Sequence, residues 1–117
     1  MNRRGDVVIV NFSFTDVAKT KPRPAIIVQN DRDNQRLRKT VVVMITGNLT
    51  RRGDPSHFVI DPATPEGASS GIRNASLASC NNVLTLEQQS VLRTIGHLSD
   101  TLKQKLSDCL KAALEIT

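Results

Sequence analysis

The sequence predicts a mainly β protein closed by one C-terminal α-helix. Several short apolar runs rich in β-branched residues are separated by Gly, Pro, Asn and Asp, which is typical of strands joined by turns. Apolar residues recur at helical spacing in the last stretch of the chain. Many short strands and one closing helix favour a small, strongly bent antiparallel sheet or barrel. We expect residues 1–117 to form a single domain.

The first half of the chain carries the clearer strands. A β-branched run that then alternates predicts a strand at 7–14, and a second follows at 23–29 after a polar loop. Residues 30–39 are a long charged connector. The third strand, at 40–46, is apolar enough to be buried on both faces of a sheet.

The second half alternates weaker strands with loops. A short strand is predicted at 57–61, and the Pro, Gly, Ser and Ala of 62–71 indicate an irregular surface loop. Two further strands are expected at 75–79 and 83–86, and a short piece at 93–95 can pair with the sheet.

The last segment is predicted to be an amphipathic helix that packs on the sheet. Ser99 suits its N-cap, and Asp100 suits the positive end of the helix dipole. Cys109 lies on the apolar side and is predicted to be a core residue. The apolar positions of this helix are Leu102, Leu106, Cys109, Leu110, Ala113 and Leu114.

Composition limits the classes of function. The chain has 16 Lys and Arg against 11 Asp and Glu, a formal charge of +5, which favours RNA, DNA or an acidic protein as partner without choosing among them. The aromatic residues are three Phe, with no Trp or Tyr, so a module that stacks bases on aromatic rings is disfavoured.

The pattern of Cys and His predicts neither a metal site nor a disulfide framework. Cys80 and Cys109 lack zinc-type spacing, and His57 and His97 stand apart from acidic or thiol clusters. No apolar run approaches the roughly 20 residues of a membrane span, and the N-terminus lacks the apolar stretch of a signal peptide. We therefore expect a cytoplasmic protein with reduced thiols and no membrane partner.

Arg23 is the most informative residue of the chain. Pro22 and Pro24 flank it, and proline holds both itself and the residue before it in an extended conformation. An arginine presented in this way loses little further entropy when its planar fork grips a phosphate. The local sequence also fits a strand-entry arginine that pairs with a surface carboxylate.

The sequence lacks a Ser-His-Asp arrangement and a nucleotide-binding glycine loop, so an enzyme of this sequence needs little beyond placed charge and hydroxyls. RNA is a suitable substrate because its ribose 2′-hydroxyl is the nucleophile, and the protein need only align it and stabilise the phosphoryl charge. Arg23 can supply the charge and Thr46, at the exit of the third strand, a hydroxyl. Thr46 also simply suits a strand end, and His57 is expected to be structural.

The chain resembles the MazF/PemK family of bacterial toxins. The resemblance covers nearly the whole chain in the expected order, and the opening motif together with the Arg-Pro-Ala strand carries most of it. The matching segments are 4–8 (RGDVV), 23–31 (RPAIIVQND), 43–46 (VMIT), 57–60 (HFVI), Ser76, Thr85-Leu86 and His97-Leu98.

The resemblance implies a small barrel related to SH3 folds and shared with CcdB toxins. It also implies a homodimer that cleaves single-stranded RNA, including mRNA, at short sequences without metal or cofactor, leaving a 2′,3′-cyclic phosphate, and that is inhibited by a cognate antitoxin. The family's catalytic arginine falls on Arg23 and its strand-end threonine on Thr46. RNA contacts are then expected from Lys19, Lys21, Asn48, Arg51, Arg52 and Ser76.

Departures from the family pattern leave two alternatives open. Some members place an arginine and an aspartate as general acid and base on a later strand, where this chain has Ser79 and Asn81. Cleavage must then use Arg23 and Thr46. The alternatives are a gyrase-binding toxin like CcdB, although its C-terminal helix motif is absent from 110–117, and a decayed member that still binds an antitoxin.

Overall fold

The described part of the computed structural model, residues 2–13 and 20–117, forms a six-stranded antiparallel sheet with one long helix against it. The sheet order is β4-β5-β3-β2-β1-β6. The mainly β fold with a C-terminal helix is confirmed. The elements are β1 (Asp6–Ser13), β2 (Thr20–Ile27), α1 (Asp31–Arg36), β3 (Lys39–Thr46), β4 (His57–Ile60), β5 (Ser76–Glu87), β6 (Val91–His97) and α2 (Asp100–Leu114).

Side-chain alternation along the strands divides the core between the two faces of the sheet. Ile26 and Val43 belong to one buried cluster, which also contains Leu106 of α2. Ala25 and Val42 belong to a second buried cluster on the opposite face. β3 is thus buried on both faces along most of its length, as predicted.

The charged connector contains a helix that the sequence analysis missed. Asn30 caps α1 because its side chain accepts the backbone N–H of Asp33 at 2.9 Å. Asn34 is buried, and its side-chain amide donates to the carbonyl of Gln29 and accepts from the hydroxyl of Thr40. Polar capping and polar burial hold this short helix, so no apolar periodicity revealed it.

The strands predicted at 75–79 and 83–86 are one bent strand, β5. Met44 of β3 pairs with Ser79, but its neighbour Val43 pairs with Val83, so residues 80–82 form a bulge. The piece predicted at 93–95 is longer and forms the edge strand β6. The bulge was missed because a two-residue alternation does not show extra residues in one strand.

Cys80 and Cys109 meet in the core beneath α2, where both are free thiols. The Cys109 thiol donates to the carbonyl of His57 at 3.5 Å, which confirms that Cys109 is a core residue. Burial, with a smaller contribution from Cys109, raises the pKa of Cys80 to about 12. Burial also raises the pKa of Cys109. Neither group is expected to act as a nucleophile at neutral pH.

The raised pKa predicts that Cys80 stabilises the fold below pH 9 and loses this effect at higher pH. The thiol ionises near its ordinary pKa of 9.0 in the unfolded chain and near 12 in the fold. Between these values the unfolded state holds fewer protons, so the free energy of unfolding falls as pH rises. We expect the stability difference between wild type and Cys80→Ala, measured by urea denaturation, to shrink from pH 8 to pH 11. A difference that stays constant with pH would contradict this.

Candidate functional site

Arg23 and Thr46 lie just beyond the same end of the paired stretch of two neighbouring strands. β2 and β3 pair from Ile27 and Val42 as far as Ala25 and Met44, and Arg23 and Thr46 each lie two residues beyond that last pair. Both side chains then project from the face of the sheet that carries Ala25 and Met44. The strand end formed by Arg23, Pro24, Thr46 and Gly47 is called the rim below.

Arg23 is held in extended backbone, as its two prolines predict. It belongs to β2, which begins earlier than expected, and pairs with Val10 of β1. Its side chain is exposed. A guanidinium on a paired strand can therefore meet a ligand from solvent while its backbone stays fixed.

The hydroxyl of Thr46 is oriented by the loop that follows β3. Its Oγ1 accepts the backbone N–H of Asn48 at 3.2 Å. Asn48 in turn accepts both the N–H and the hydroxyl of Thr50, at 3.0 and 2.6 Å. Because Thr46 is the acceptor in its bond, its own hydroxyl proton remains able to donate to a substrate oxygen.

A polar cavity of about 640 Å³ opens beside Thr46 on the same face, and we call it the Thr46 cavity. Asn48 and Ser79 contribute to its lining, and so do Asn81 and Asn82 from the bulge of β5. Side-chain amides carry both donors and acceptors, which suits the edge of a nucleobase. From the sequence, Asn81 is only a departure from the family pattern, because the sequence does not reveal the bulge that brings both amides to this cavity.

His57 borders the Thr46 cavity, although its ring is buried. Its Nδ1 lies 3.1 Å from the hydroxyl of Ser56. Its backbone pairs with Ser79 of β5, and its carbonyl accepts the Cys109 thiol. These contacts agree with the structural role expected for His57.

Arg51 and Arg52 are neighbours in the chain but line different cavities. Arg51 lines the Thr46 cavity, and its ion pair with Asp54 is long, at 3.6 Å, and exposed, so it holds the guanidinium only weakly. Arg52 instead lines a separate cavity beside α2, together with Lys105 and Asp108. Only Arg51 of this pair lies near Thr46.

The remaining residues predicted to bind RNA are dispersed. Lys21 is exposed on β2, one residue before Pro22. Ser76 is buried at the start of β5, and its hydroxyl donates to the carbonyl of Asn74 at 2.9 Å. Lys19 lies outside the described residues. The rim and the Thr46 cavity thus gather Arg23, Thr46, Asn48 and Arg51.

Residues 2–13 and 20–117 contain neither a candidate metal site nor a candidate membrane span. No group of three or more His, Cys, Asp or Glu residues there could hold a metal ion. No helix in the same residues is long and apolar enough to span a membrane.

The chain is similar to a known family over almost its whole length. Residues 3–114 match the family model described as "PemK-like, MazF-like toxin of type II toxin-antitoxin system". Among curated proteins it is 25% identical over 115 residues to Endoribonuclease EndoA of Bacillus subtilis, covering 97% of this chain and 95% of the relative. It is also 25% identical to Endoribonuclease MazF of Staphylococcus saprophyticus, covering 97% and 92%.

Solved structures share the fold. An endoribonuclease in complex with its cognate antitoxin, from a mycobacterial species, superimposes with a TM-score of 0.79 at 20% identity, covering 100% of this chain and 98% of that one. A MazE–MazF structure from Deinococcus radiodurans gives a TM-score of 0.73 at 15% identity, covering 99% and 98%. At these identities the likeness establishes the fold.

Proposed function

The chain belongs to the PemK-like, MazF-like family of toxins of type II toxin–antitoxin systems, and we propose that it is a sequence-specific endoribonuclease that cleaves single-stranded RNA. Two curated relatives are named endoribonucleases. The observation that carries the proposal is the placement of Arg23 and Thr46 on one face of the rim, beside a polar cavity. A cation, a hydroxyl and amide groups in one place suit a phosphodiester and its bases.

The proposed reaction uses the nucleophile that RNA carries. The 2′-oxygen attacks the adjacent phosphorus, the bond to the 5′-oxygen of the next nucleotide breaks, and a 2′,3′-cyclic phosphate and a 5′-hydroxyl remain. One proton leaves the 2′-hydroxyl and one reaches the leaving oxygen, so the step is balanced without a cofactor. Negative charge accumulates on the phosphoryl oxygens, and the fixed cation of Arg23 stabilises it more than it stabilises bound RNA.

Thr46 and the cavity have complementary roles in this proposal. The Thr46 hydroxyl donates to a phosphoryl oxygen or holds the 2′-oxygen in line, which supplies alignment. Asn81 and Asn82 hydrogen-bond a neighbouring base and so contribute to the choice of cleavage sequence. Arg51 adds attraction for the RNA backbone. No step requires a metal, because Arg23 provides the positive charge.

We further propose that the chain acts as a homodimer and is inhibited by a cognate antitoxin. One solved structure that shares the fold is an endoribonuclease in complex with its cognate antitoxin, and another is of MazE–MazF. The formal charge of +5 would attract an acidic partner as well as RNA. Unopposed cleavage of mRNA would inhibit translation and growth.

A single-atom change in the substrate tests the reaction. An RNA oligonucleotide containing one cleavage sequence should be cut, whereas the same oligonucleotide with a 2′-deoxyribose on the 5′ side of the cut should remain intact, because it lacks the nucleophile. A 2′-deoxyribose two positions away is the matched control and should be cut normally. Cleavage at the deoxy position would contradict attack by the 2′-hydroxyl, and gyrase inhibition without any RNA cleavage would favour a CcdB-like function.

A further inference from the structure

A second cavity, of about 560 Å³, lies on the opposite face of the sheet from the Thr46 cavity, and we call it the Arg73–Arg93 cavity. Arg73 comes from the loop before β5, and Arg93 comes from β6. Ile9, Pro24 and Gly47 also line it. The function proposed above does not use either arginine.

Both cavities border the rim. Gly47 lines this cavity and Thr46 lines the other, although the two residues are neighbours in the chain. Pro24, which follows Arg23, also lines the Arg73–Arg93 cavity. An RNA strand that lies across the rim with its scissile phosphate at Arg23 therefore reaches the Thr46 cavity on one side and the Arg73–Arg93 cavity on the other.

The register of the sheet limits how far Arg93 lies from the rim. Ile9 of β1 pairs with Pro24 of β2 on one side and with Arg93 of β6 on the other. Two strand spacings separate Pro24 from Arg93, which is about 10 Å between their backbones. This separation is short enough for the long side chain of Arg93 to extend toward an RNA strand that crosses the rim.

Close backbone packing holds the loop of Arg73 against β6. Gly71 has a φ of 76°, and a Cβ atom there would collide with the carbonyl of Ile95. A Cβ atom at Gly96 would collide with the backbone of Ser69 and Ser70. The hydroxyl of Ser69 also donates to the carbonyl of His97 at 2.9 Å. Two glycines thus permit a contact that brings Arg73 to the same cavity as Arg93.

The lining of this cavity carries two positively charged side chains, Arg73 and Arg93. Both arginines are exposed, and neither side chain makes a hydrogen bond or ion pair with another described residue. None of the described residues that line the cavity is Asp or Glu. Two guanidinium groups that line one cavity without a carboxylate make it attractive to an anion. The planar fork of arginine is well matched to phosphate oxygens.

We propose that Arg73 and Arg93 bind the backbone phosphate of the RNA strand next to the scissile phosphate, and so position the substrate across the rim. The inference rests on the proposed ribonuclease function, because it places the strand by the site of cleavage. The two arginines are positioning residues: they act on bound RNA, whereas Arg23 and Thr46 act on the reacting phosphate. Ser76, which the sequence analysis expected at the RNA, lines this same cavity.

Binding and cleavage of RNA by the double variant Arg73→Gln/Arg93→Gln test the proposal. Binding is measured by fluorescence anisotropy over a series of salt concentrations, with a single-stranded RNA that carries a 2′-deoxyribose at the cut. If wild type does not cut the chosen RNA, the same RNA is used without the 2′-deoxyribose. Arg32→Gln/Arg36→Gln on α1, at the opposite end of β2 and β3, is the matched control because it removes the same charge.

The double variant is expected to bind RNA at least about tenfold more weakly at low salt, as for loss of a charge-assisted hydrogen bond. The slope of log binding constant against log salt should fall by about 0.7 for one lost phosphate contact, and the control should change it less. In cleavage, KM should rise while kcat at saturating RNA stays unchanged. Arg73→Lys/Arg93→Lys should restore part of the affinity.

Several results would overturn the proposal. If wild type and the double variant have equal RNA affinity and equal salt slope, the proposed phosphate contact is wrong, whereas the proposed ribonuclease function is unaffected. A loss of kcat with KM unchanged would place the arginines in catalysis or folding. If wild type elutes as a dimer and the double variant as a monomer, the arginines belong to a contact between copies. A different outcome separates the two proposals. If wild type binds RNA but never cuts it, and the double variant binds more weakly, the phosphate contact is supported and the proposed ribonuclease function is contradicted.

Discussion

Replacing Arg23 by alanine is expected to lower kcat for RNA cleavage by about 10²–10³-fold, the cost of removing one fixed donor to a developing oxyanion. The guanidinium supplies the charge that the phosphoryl group needs only in the transition state, so KM should change much less. The fold should persist, because Arg23 is exposed and its backbone pairing with β1 does not depend on the side chain. Cleavage of a defined oligonucleotide under saturating conditions measures the effect.

Arg36→Ala is the matched control for Arg23→Ala. Arg36 is also an exposed arginine, but it lies in α1, which joins the far ends of β2 and β3, and it pairs with Asp33. We expect this variant to cleave at the wild-type rate, within the small effect of one distant charge. Equal losses in both variants would mean that only overall charge matters, and a wild-type rate in Arg23→Ala would remove Arg23 from the site.

Replacing Thr46 by valine is expected to lower kcat by about 10²-fold. Valine keeps the shape of threonine but loses the hydroxyl, and with it both the donor to the substrate and the acceptor for the N–H of Asn48. The loop that carries Asn48 and Arg51 should also become less well fixed, so KM should rise. Initial rates over a range of RNA concentrations separate the two effects.

Thr46→Ser distinguishes the hydroxyl from the methyl group of Thr46. Serine retains the donor and the acceptor, so its kcat should remain within a few-fold of wild type, as expected where packing contributes little. Equal rates in the valine and serine variants would show that the hydroxyl takes no part in the reaction. The thermal midpoints of both variants establish whether a lower rate arises from unfolding.

Local sequence signals were sufficient for the elements whose stability is local or strongly apolar. β3 was expected at 40–46 and extends from Lys39 to Thr46, since its continuous β-branched run has no competing pattern. Ser99 caps α2 as predicted, accepting the backbone N–H of Leu102. The family resemblance is confirmed by the match over residues 3–114.

The helix and the bulge that the sequence did not predict both depend on tertiary contacts. α1 depends on a capping asparagine and on the buried Asn34, which hydrogen-bonds to Gln29 and to Thr40 of β3, so neither residue has an apolar signature. The bulge at residues 80–82 lies between the two halves of β5: β3 pairs with both halves, and β4 pairs only with the first. Such pairings follow from the assembled sheet and not from any window of sequence.

In the candidate site, too, some residues could be predicted from local sequence and others depend on the assembled sheet. The two prolines singled out Arg23, and the exit of the third strand together with the resemblance pointed to Thr46, but the pairing of β2 with β3 is what brings their two segments side by side. Arg73 and Arg93 gave no signal, because 20 residues separate them and they meet only where Gly71 and Gly96 allow close packing. The catalytic roles of Arg23 and Thr46 and all of the predicted RNA contacts remain predictions.

Cleavage of a long, mixed-sequence RNA in the presence of EDTA, with wild type beside Arg23→Ala, tests the central claim most directly. The claim is that the rim performs metal-free RNA cleavage through Arg23. We predict discrete fragments with 2′,3′-cyclic phosphate ends from wild type, and intact RNA over the same period from the folded variant. Fragments that disappear on addition of EDTA, or that both proteins produce equally, would contradict this account.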